Sequence, residues 1–475
     1  MMLFSPSPKR RFRLQLRISE RRLLLMAGDT LAVLVSVLLA LYIWSVRAEE
    51  PFTLAFVLPQ SFWFFVLVIL WLLLASANDF YDLAVAANRL QSLARLALIT
   101  GQMLLIYLII FFFSPRDALP RLFILYYGVA SFGLIALWRF LNPALFGWAA
   151  SPRQVLIVGA DESAALMIEA IHQYGAASYD VRGIISQSDD VGKVIAGVPV
   201  IGTGADLPNF VMRDRIAELI ITTIPDMDDD IFRGVMQAYE IGVSLVTMPV
   251  LYARLTGRVP VRYIQNSWAL VLPISGQSIF NPYPFLKRVM DISLSLIVLI
   301  VLLGLLPILA VLIRLDSKGG VFYSQIRTGM NGKPFRIYKF RTMRSDAEAD
   351  GQARFSVKGD PRVTRMGRIM RPTRLDELPQ VWNVIKGDMS IVGPRPERPE
   401  HIRRLEQQIP FYRTRLVIRP GLTGWAQVKY QYGSTDEDAL VKLEYDLYYI
   451  RNQSILLDIN ILIRTVYKVI RMSGI

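Results

Sequence analysis

Asp376 and Glu377 are the residues best suited to covalent chemistry in this chain. They stand side by side in the run Arg371 to Glu400, RPTRLDELPQVWNVIKGDMSIVGPRPERPE, among several arginines. There is no Cys, and the two His are His172 and His401. A thiolate nucleophile and a His-based metal cluster are therefore excluded. Paired carboxylates can hold Mg²⁺, which prefers oxygen ligands and bridges to phosphates, while one carboxylate attacks phosphorus. Pro379 is tolerated only in a first helical turn, so a helix is expected to begin near Asp376 with Asp376 as its N-cap. There, backbone N–H groups and the helix dipole favour both the carboxylate and a nearby phosphate. A lone Asp would be a structural cap. The neighbouring Glu377, with Arg371, Arg374 and Arg395 close by, turns the reading toward a site for a phosphate ester.

Other cationic segments could complete such a site. Gly393-Pro394-Arg395-Pro396 fixes an arginine between two prolines, which suits recognition of a phosphate or a nucleotide. RPGLTGWAQV, Arg419 to Val428, is a Gly-rich turn carrying the Arg419 cation and an indole. From Gly319 to Met343, two strand-like runs flank Asn331-Gly332, a favoured hairpin turn. Alternation puts Lys339 and Arg341 on one face and Tyr338 and Phe340 on the other. The basic face, with Arg327 nearby, could contact phosphates, and a solvated edge strand is the plainer alternative.

The elements that must position these groups include membrane segments. The chain has 475 residues, enough for about three units. Its 53% hydrophobic content exceeds what soluble chains need. Four stretches, Leu23–Trp44, Phe56–Ala77, Leu96–Phe113 and Leu122–Leu145, approach the roughly 20 residues that span a bilayer. The basic leader from Lys9 to Arg22 puts the N-terminus in the cytoplasm and lacks the features of a signal peptide. Asp29 in the first span reads as a snorkelling or paired structural charge, with a functional intramembrane role as the alternative. From Gln154, strand-like runs alternate with amphipathic helices, as in a βαβ domain with a parallel sheet. Its opening turn is a damaged dinucleotide fingerprint: Asp161 and Ala164 replace glycines after Gly159, and Asp161 would repel a pyrophosphate. A structural or regulatory domain is preferred over a nucleotide-binding one. Residues 263–280 read as a short β segment and linker.

A further apolar run, Ile292 to Ile313, contains Gly304 and Pro307 and has basic residues at both ends. Positive-inside is satisfied on both sides only if the chain enters and leaves by one face, and Pro307 supplies the break. A re-entrant helix is preferred over a full span. From Asn281 onward there are 31 Lys and Arg against 18 Asp and Glu, most of the net charge of +14. That excess calls for an anionic partner. The membrane segments favour lipid headgroups and phosphorylated substrates over nucleic acid. Ile455 to Met472 reads as a helix lying in the headgroup layer or packed in the core.

These residues carry a family resemblance. KRVMD at Lys287–Asp291, VFYSQIRTG at Val321–Gly329, YKFRTM at Tyr338–Met343, LDELPQ, GDMSIVGPRPE at Gly387–Glu397, RPGLTGWAQV and KLEYDLYYI at Lys442–Ile450 occur in order. Together they resemble the monotopic phosphoglycosyl transferases, or bacterial sugar transferases, in their long polyprenyl-phosphate hexose-1-phosphate branch. The resemblance implies a membrane α-helical bundle (1–150), an α/β Rossmann-like domain (151–262), a linker (263–284) and an α+β monotopic catalytic domain (285–475). The last carries a re-entrant membrane helix at 288–314. It further implies Asp376 as nucleophile and Glu377 as its partner at an Mg²⁺ site. A UDP-sugar would donate a hexose-1-phosphate to undecaprenyl phosphate at the cytoplasmic face of the bacterial inner membrane, among its lipids; glucose-1-phosphate and galactose-1-phosphate are common in this branch, and glucose is preferred because such enzymes initiate exopolysaccharide synthesis. Arg327, Lys339, Arg341, Arg371, Arg374, Arg395 and Arg419 would contact substrate, and Asp446 would support the site. Many relatives have Ser-Pro at the re-entrant break, whereas Leu306 precedes Pro307 here. The βα domain would regulate the enzyme or join it into a homodimer. Competing expectations are a membrane-tethered nucleotide-sugar epimerase or dehydratase, for which an intact glycine fingerprint and a Tyr-Lys relay are wanting, and a non-catalytic scaffold of polysaccharide assembly.

Overall fold

A computed structural model describes residues 18–82, 85–86, 88–112, 122–146, 152–176, 178–222, 227–263, 281–344, 360–430, 433 and 435–470. Residues 9–17 of the basic leader and most of the expected linker, 264–280, lie outside the described residues. Contacts divide the chain into two compact units. The first comprises Met1–Ile157, Ile168–Leu219 and Asp229–Ser244; the second comprises Val158–Met167, Ile220–Asp228 and Leu245–Ile475.

Four long helices form the membrane part: α1 (Ile18–Arg47), α2 (Ser61–Ala77), α3 (Arg89–Phe112) and α4 (Phe123–Phe146). Each overlaps a helical stretch long and apolar enough to cross a bilayer. Trp71, Tyr107, Phe123 and Tyr127 are buried between them, while Phe65 and Val129 face outward, as lipid contact allows. Asp29 is paired: its Oδ2 lies 2.7 Å from a guanidinium nitrogen of Arg139, with both side chains buried. Arg139 also covers the Phe80 ring at 3.9 Å. A charge withdrawn from water and lipid needs such partners, so the pair reads as structural.

The six-stranded sheet is built from β1 (Arg153–Val158), β2 (Tyr179–Ile185), β3 (Val194–Ile195), β4 (Val198–Gly202), β5 (Glu218–Ile221) and β6 (Ser244–Thr247), in the order β3-β4-β2-β1-β5-β6. β2 pairs parallel with β4, and the short β3 adds an antiparallel edge. The helices of this region are α5 (Glu162–Ala170), α6 (Leu207–Asp214), α7 (Asp229–Glu240) and α8 (Met248–Thr256).

The long helix α9 (Tyr283–Asp316) opens the part that carries the expected site and contains Pro307. At 1.5 Å per residue such a helix would run about 50 Å if straight. Antiparallel β7 (Phe322–Thr328) and β8 (Pro334–Phe340) follow, with Phe322 opposite Phe340. Asn331 and Gly332 both take positive φ, 56° and 79°, as the central pair of a primed turn that Lys333 N closes onto Met330 O at 3.2 Å, inside the loop 329–333 that joins the strands. Next come α10 (Arg365–Met370), a 3₁₀ turn at Leu375–Gln380 and α11 (Val381–Lys386), which ends at Gly387 with φ 96°. β9 (Ser390–Val392) pairs parallel with β10 (Gly421–Thr423). Around this pair lie α12 (Pro399–Gln408), α13 (Trp425–Lys429), α14 (Asp436–Arg451) and α15 (Ile455–Ile470). Thr435 and Asp438 form a reciprocal capping box at the start of α14.

Both ends of α9 are tied to neighbouring elements of this unit. Near its start, Arg288 donates to the carbonyls of Val384 (2.7 Å) and Ile385 (2.8 Å) on α11. Asp291 accepts from Ser390 Oγ and Ile391 N, each at 3.0 Å. At its end, Asp316 accepts from Met366 N at 2.8 Å, and Ile313 shares a buried cluster with Val381 of α11.

The segment after α8 also belongs to this core. Val259 and Val261, each 2% exposed, pack with Ile402, Leu405, Leu443 and Leu447. Val259 N donates to Glu444 O at 3.1 Å, and Trp425 Nε1 donates to Gly257 O at 3.0 Å. Val259→Ala and Val261→Ala should each cost on the order of 1–2 kcal/mol through lost burial and a residual cavity. Val191→Ala, at an exposed position, should stay within about 0.5 kcal/mol. Thermal unfolding in detergent checks this, and equal shifts at all three positions would remove residues 257–261 from the core.

Candidate functional site

The dyad begins with an unusual backbone turn. Arg374 adopts φ 54°, ψ 19°, a left-handed conformation costly for a residue with a Cβ. It is the residue that caps the 3₁₀ turn, so Asp376 is not the N-cap expected from the sequence but the second residue of that turn. The first stretch of helix is 3₁₀ and the α-helix starts only after Pro379, which removes a donor from the ladder. Asp376 and Glu377 are each 8% exposed.

Two adjacent buried carboxylates repel, and the surroundings resolve that repulsion unequally. Glu377 Oε1 accepts from Lys339 Nζ and from Arg395, both at 2.7 Å, and Arg374 lies 3.5 Å from Oε2. Burial opposes its ionisation, but Arg395, Lys339 and Arg374 outweigh it and hold the Glu377 carboxyl well below the usual range. Asp376 has no hydrogen bond or ion pair among the described residues. Burial, and then the charge of Glu377, push its carboxyl up to about 6, against the attraction of Lys339, Arg371 and Arg395. One carboxylate is locked as an anion; the other is left uncommitted and more basic than an ordinary Asp. That is the division expected between an anchor and a nucleophile.

A shallow cleft beside Glu377 is lined by Arg327, Ile337, Lys339, Gln380, Arg395, Pro396, Gly421 and Leu422. The structure thus brings Lys339, Arg374 and Arg395 onto the dyad and Arg327 to the same cleft. Arg371 donates from Nε to Thr342 Oγ1 at 3.1 Å and reaches Asp376 electrostatically. Two expected contacts have other work. Arg341 is 7% exposed and donates to the carbonyls of Ile313, in the last turn of α9, and of Ser317 and Lys318 just beyond it. It lies just past the end of β8, so strand alternation does not govern its direction. Arg419 is exposed and donates to Gly387 O at 3.0 Å. The Trp425 indole, committed to Gly257 O, is 8% exposed and lies within the fold.

Asp446 is 2% exposed and paired with Arg415 at 2.8 Å. Sequence reasoning did not single out Arg415, which is one of several similar arginines in the run Arg413 to Arg419, nor Gln380. Nothing local marks either one, because their roles depend on contacts with distant segments.

In the βα domain, Asp161 Oδ1 accepts from Ser163 Oγ at 2.7 Å and from Ala164 N at 3.1 Å. The start of α5, where a pyrophosphate would sit in a dinucleotide site, holds the chain's own carboxylate.

The family model for bacterial sugar transferases matches residues 282–472, and a model for a CoA-binding domain matches 76–249. A Klebsiella pneumoniae UDP-glucose:undecaprenyl-phosphate glucose-1-phosphate transferase is 31% identical over 366 residues, 75% of this chain and 77% of that protein. The chain belongs to the bacterial sugar transferase family. Within it, an Aeromonas hydrophila UDP-N-acetylgalactosamine-undecaprenyl-phosphate N-acetylgalactosaminephosphotransferase is 40% identical over 53% of this chain and 59% of its own length. The Escherichia coli (strain K12) UDP-glucose:undecaprenyl-phosphate glucose-1-phosphate transferase is 41% identical over 42% and 43%, respectively. The match thus spans less than two thirds of the Aeromonas and Escherichia relatives' lengths. This sugar transferase is a membrane protein, with apolar helices joined to α/β domains.

The raised carboxyl of Asp376 has a cost in stability. Its folded value lies above the unfolded one of 3.8, so the associated stability is present below about pH 4 and is lost as pH rises toward 6. Asp376→Asn removes that loss. It should raise the thermal midpoint by a few degrees at pH 8, about 2–3 kcal/mol, and by nothing near pH 4. A pH series of melts checks this, and a gain independent of pH would contradict the raised carboxyl.

Proposed function

We propose that the protein is a phosphoglycosyl transferase that moves a hexose-1-phosphate from a UDP-sugar to undecaprenyl phosphate, with glucose-1-phosphate as the group transferred. The observation that carries this reading is the division of labour in the dyad: Glu377 clamped by Lys339, Arg395 and Arg374, Asp376 unpartnered beside it. An Asp376 oxygen attacks the sugar-bearing phosphorus, the bond to the bridging oxygen breaks, and UMP leaves with that oxygen. The product is a mixed anhydride between Asp376 and the sugar phosphate. An oxygen of the polyprenyl phosphate then attacks the same phosphorus, Asp376 departs as a carboxylate, and a polyprenyl diphosphate sugar results. Neither step needs Asp376 to carry a proton. The fixed cations offset charge that builds on the phosphoryl oxygens and the leaving phosphate. Lys339 and Arg395 do so from positions set by Glu377.

The site also suits Mg²⁺. Asp376 and Glu377 Oε2 are the dyad oxygens without a close hydrogen bond, and among the described residues no cluster of three or more His, Cys, Asp or Glu exists. Mg²⁺ takes few protein ligands and completes its shell with substrate phosphates and water, so Asp376 and Glu377 would suffice to hold it. When bound, it would neutralise charge on the diphosphate of the donor.

In this reading α9 is re-entrant and the catalytic part faces the cytoplasm at the bacterial inner membrane. Support comes from the ties at both ends of the helix. Arg288 reaches Val384 and Ile385, while Ile313, 25 positions later, shares a cluster with Val381. Those partners lie on one helix about 9 Å long, against about 37 Å for a straight run between the two ends. Pro307 supplies a point of bending. The sheet reads as Rossmann-like, with β1 between β2 and β5, and serves a regulatory or dimerising role; Asp161 at the start of α5 speaks against an epimerase or dehydratase working there.

The sugar follows from a panel. UMP release from UDP-glucose, UDP-galactose and UDP-N-acetylgalactosamine, with Mg²⁺ and undecaprenyl phosphate in nanodiscs, should be fastest with UDP-glucose. N-acetylgalactosamine is the second reading, because the Aeromonas relative is named for it. Asp376→Asn should lower release by about 10³-fold or more, and unchanged release would remove Asp376 as nucleophile. Topology is open to a separate test, since the chain has no Cys of its own. Single cysteines at Phe285 and Lys318 should both react with a membrane-impermeant maleimide from the cytoplasmic side. Labelling from opposite sides would make α9 a full span.

A further inference from the structure

The turn that carries Arg395 is held in an unusual way. Four successive carbonyls, Pro394 to Glu397, each accept from a different donor. Pro394 O accepts from Gly421 N (2.8 Å), Arg395 O from Arg415 (3.1 Å), Pro396 O from Arg327 (3.2 Å) and Glu397 O from Thr328 N (2.9 Å). Two of the four residues are prolines without an N–H, so the turn cannot hold itself by a backbone ladder of its own. The outer two donors are backbone amides from β7 and β10. The inner two are guanidinium groups.

Arg415 is the more deeply buried of those two arginines, at 5% side-chain exposure. One terminal nitrogen donates both to Arg395 O and to Asp446 Oδ2, and the other donates to Tyr412 Oη at 2.8 Å. A fully buried ion pair is weak evidence for stability, since an apolar pair of similar volume often serves as well or better. What it supplies here is a fixed donor at one carbonyl, and that carbonyl belongs to the residue whose side chain grips Glu377 at 2.7 Å.

We propose that Arg415, with Asp446 as its counter-ion, is a positioning residue for the transfer reaction. It fixes the backbone of Arg395 and so sets how the Arg395 guanidinium meets Glu377 and the incoming phosphates. This rests on the transferase reading above, and it accounts for Asp446 as a support that acts through Arg415 and the turn. Arg327 holds the next carbonyl from the cleft side and is the second support of the same turn.

A double-mutant cycle on UMP release tests the idea. Arg415→Met should lower kcat by about 10- to 100-fold, the effect of misplacing a catalytic contact by about 1 Å. In an Arg395→Ala background the same change should cost less than about twofold, because the group it positions is gone. Arg415→Lys keeps the charge beside Asp446 but lacks the guanidinium fork, and should recover only part of the loss. Arg415→Met/Asp446→Leu removes both charges and guards against misfolding. It should melt close to wild type and show the same loss of kcat; if it does not fold, Arg415→Lys is carried through the cycle in its place. Losses that add fully in the Arg395→Ala background would overturn the positioning role, as would wild-type kcat in the folded double variant. A wild type that releases no UMP from any UDP-sugar would instead overturn the transferase reading, and this inference with it.

Discussion

The site depends on one electrostatic constraint: two neighbouring carboxylates, both buried, cannot be treated alike. Left to themselves they would share a proton and neither would be a dependable anion. Here the cations converge on one member. Lys339 from the hairpin and Arg395 from the Pro-rich turn meet at a single oxygen of Glu377, with Arg374 on the other side. Glu377 becomes a fixed negative post around which two cations are arrayed, and Asp376 keeps its lone pairs for another use. A second set of close hydrogen bonds to Asp376 would lower its basicity.

Much of the surrounding architecture can be read as what keeps those cations in place. Lys339 rides on β8, whose register against β7 is set by the Asn331-Gly332 turn. Just beyond β8, Arg341 donates to carbonyls in the last turn of α9 and just past it, so the strand that delivers Lys339 also anchors the end of the membrane helix. Arg288 joins the beginning of α9 to the helix that follows the dyad. Arg395 hangs from a turn pinned through its carbonyls. A Cβ on Gly421 would lie 2.1 Å from Gly393 N, so only glycine permits the backbone approach that brings β10 against this turn. The dyad, hairpin, turn and membrane helix are thus parts of one network rather than separate motifs.

The sequence made some of this legible and hid the rest for identifiable reasons. Hydropathy located the apolar helices because their pattern is intrinsic to the segment, and Asn331-Gly332 located the hairpin because a primed turn has a local signature. The dyad stood out because two acids among arginines are an anomaly of composition. Arg341 was misread because period-2 alternation was extended one residue past the strand, to a position where carbonyls at and just past the end of α9 hold the guanidinium. Asp376 was taken for a cap because a Pro three positions later suggests a first turn; the left-handed Arg374 that takes that role has no signature in sequence, since αL arginines are uncommon. Arg415 was invisible for the simplest reason. Its partners, Arg395, Tyr412 and Asp446, are spread over 52 positions from Arg395 to Asp446, and only the fold brings them together.

The βα domain shows the same logic in reverse. A damaged glycine fingerprint could mean an altered nucleotide site or a lost one, and sequence alone leaves both open. In the structure Asp161 does more than replace a glycine: it accepts from Ser163 Oγ and Ala164 N at the start of α5. Binding a pyrophosphate there would require displacing a carboxylate that already caps the helix and placing like charge beside it, two penalties in the same spot. The segment that leaves this domain, residues 257–261, is bonded into the core from which α14 presents Asp446.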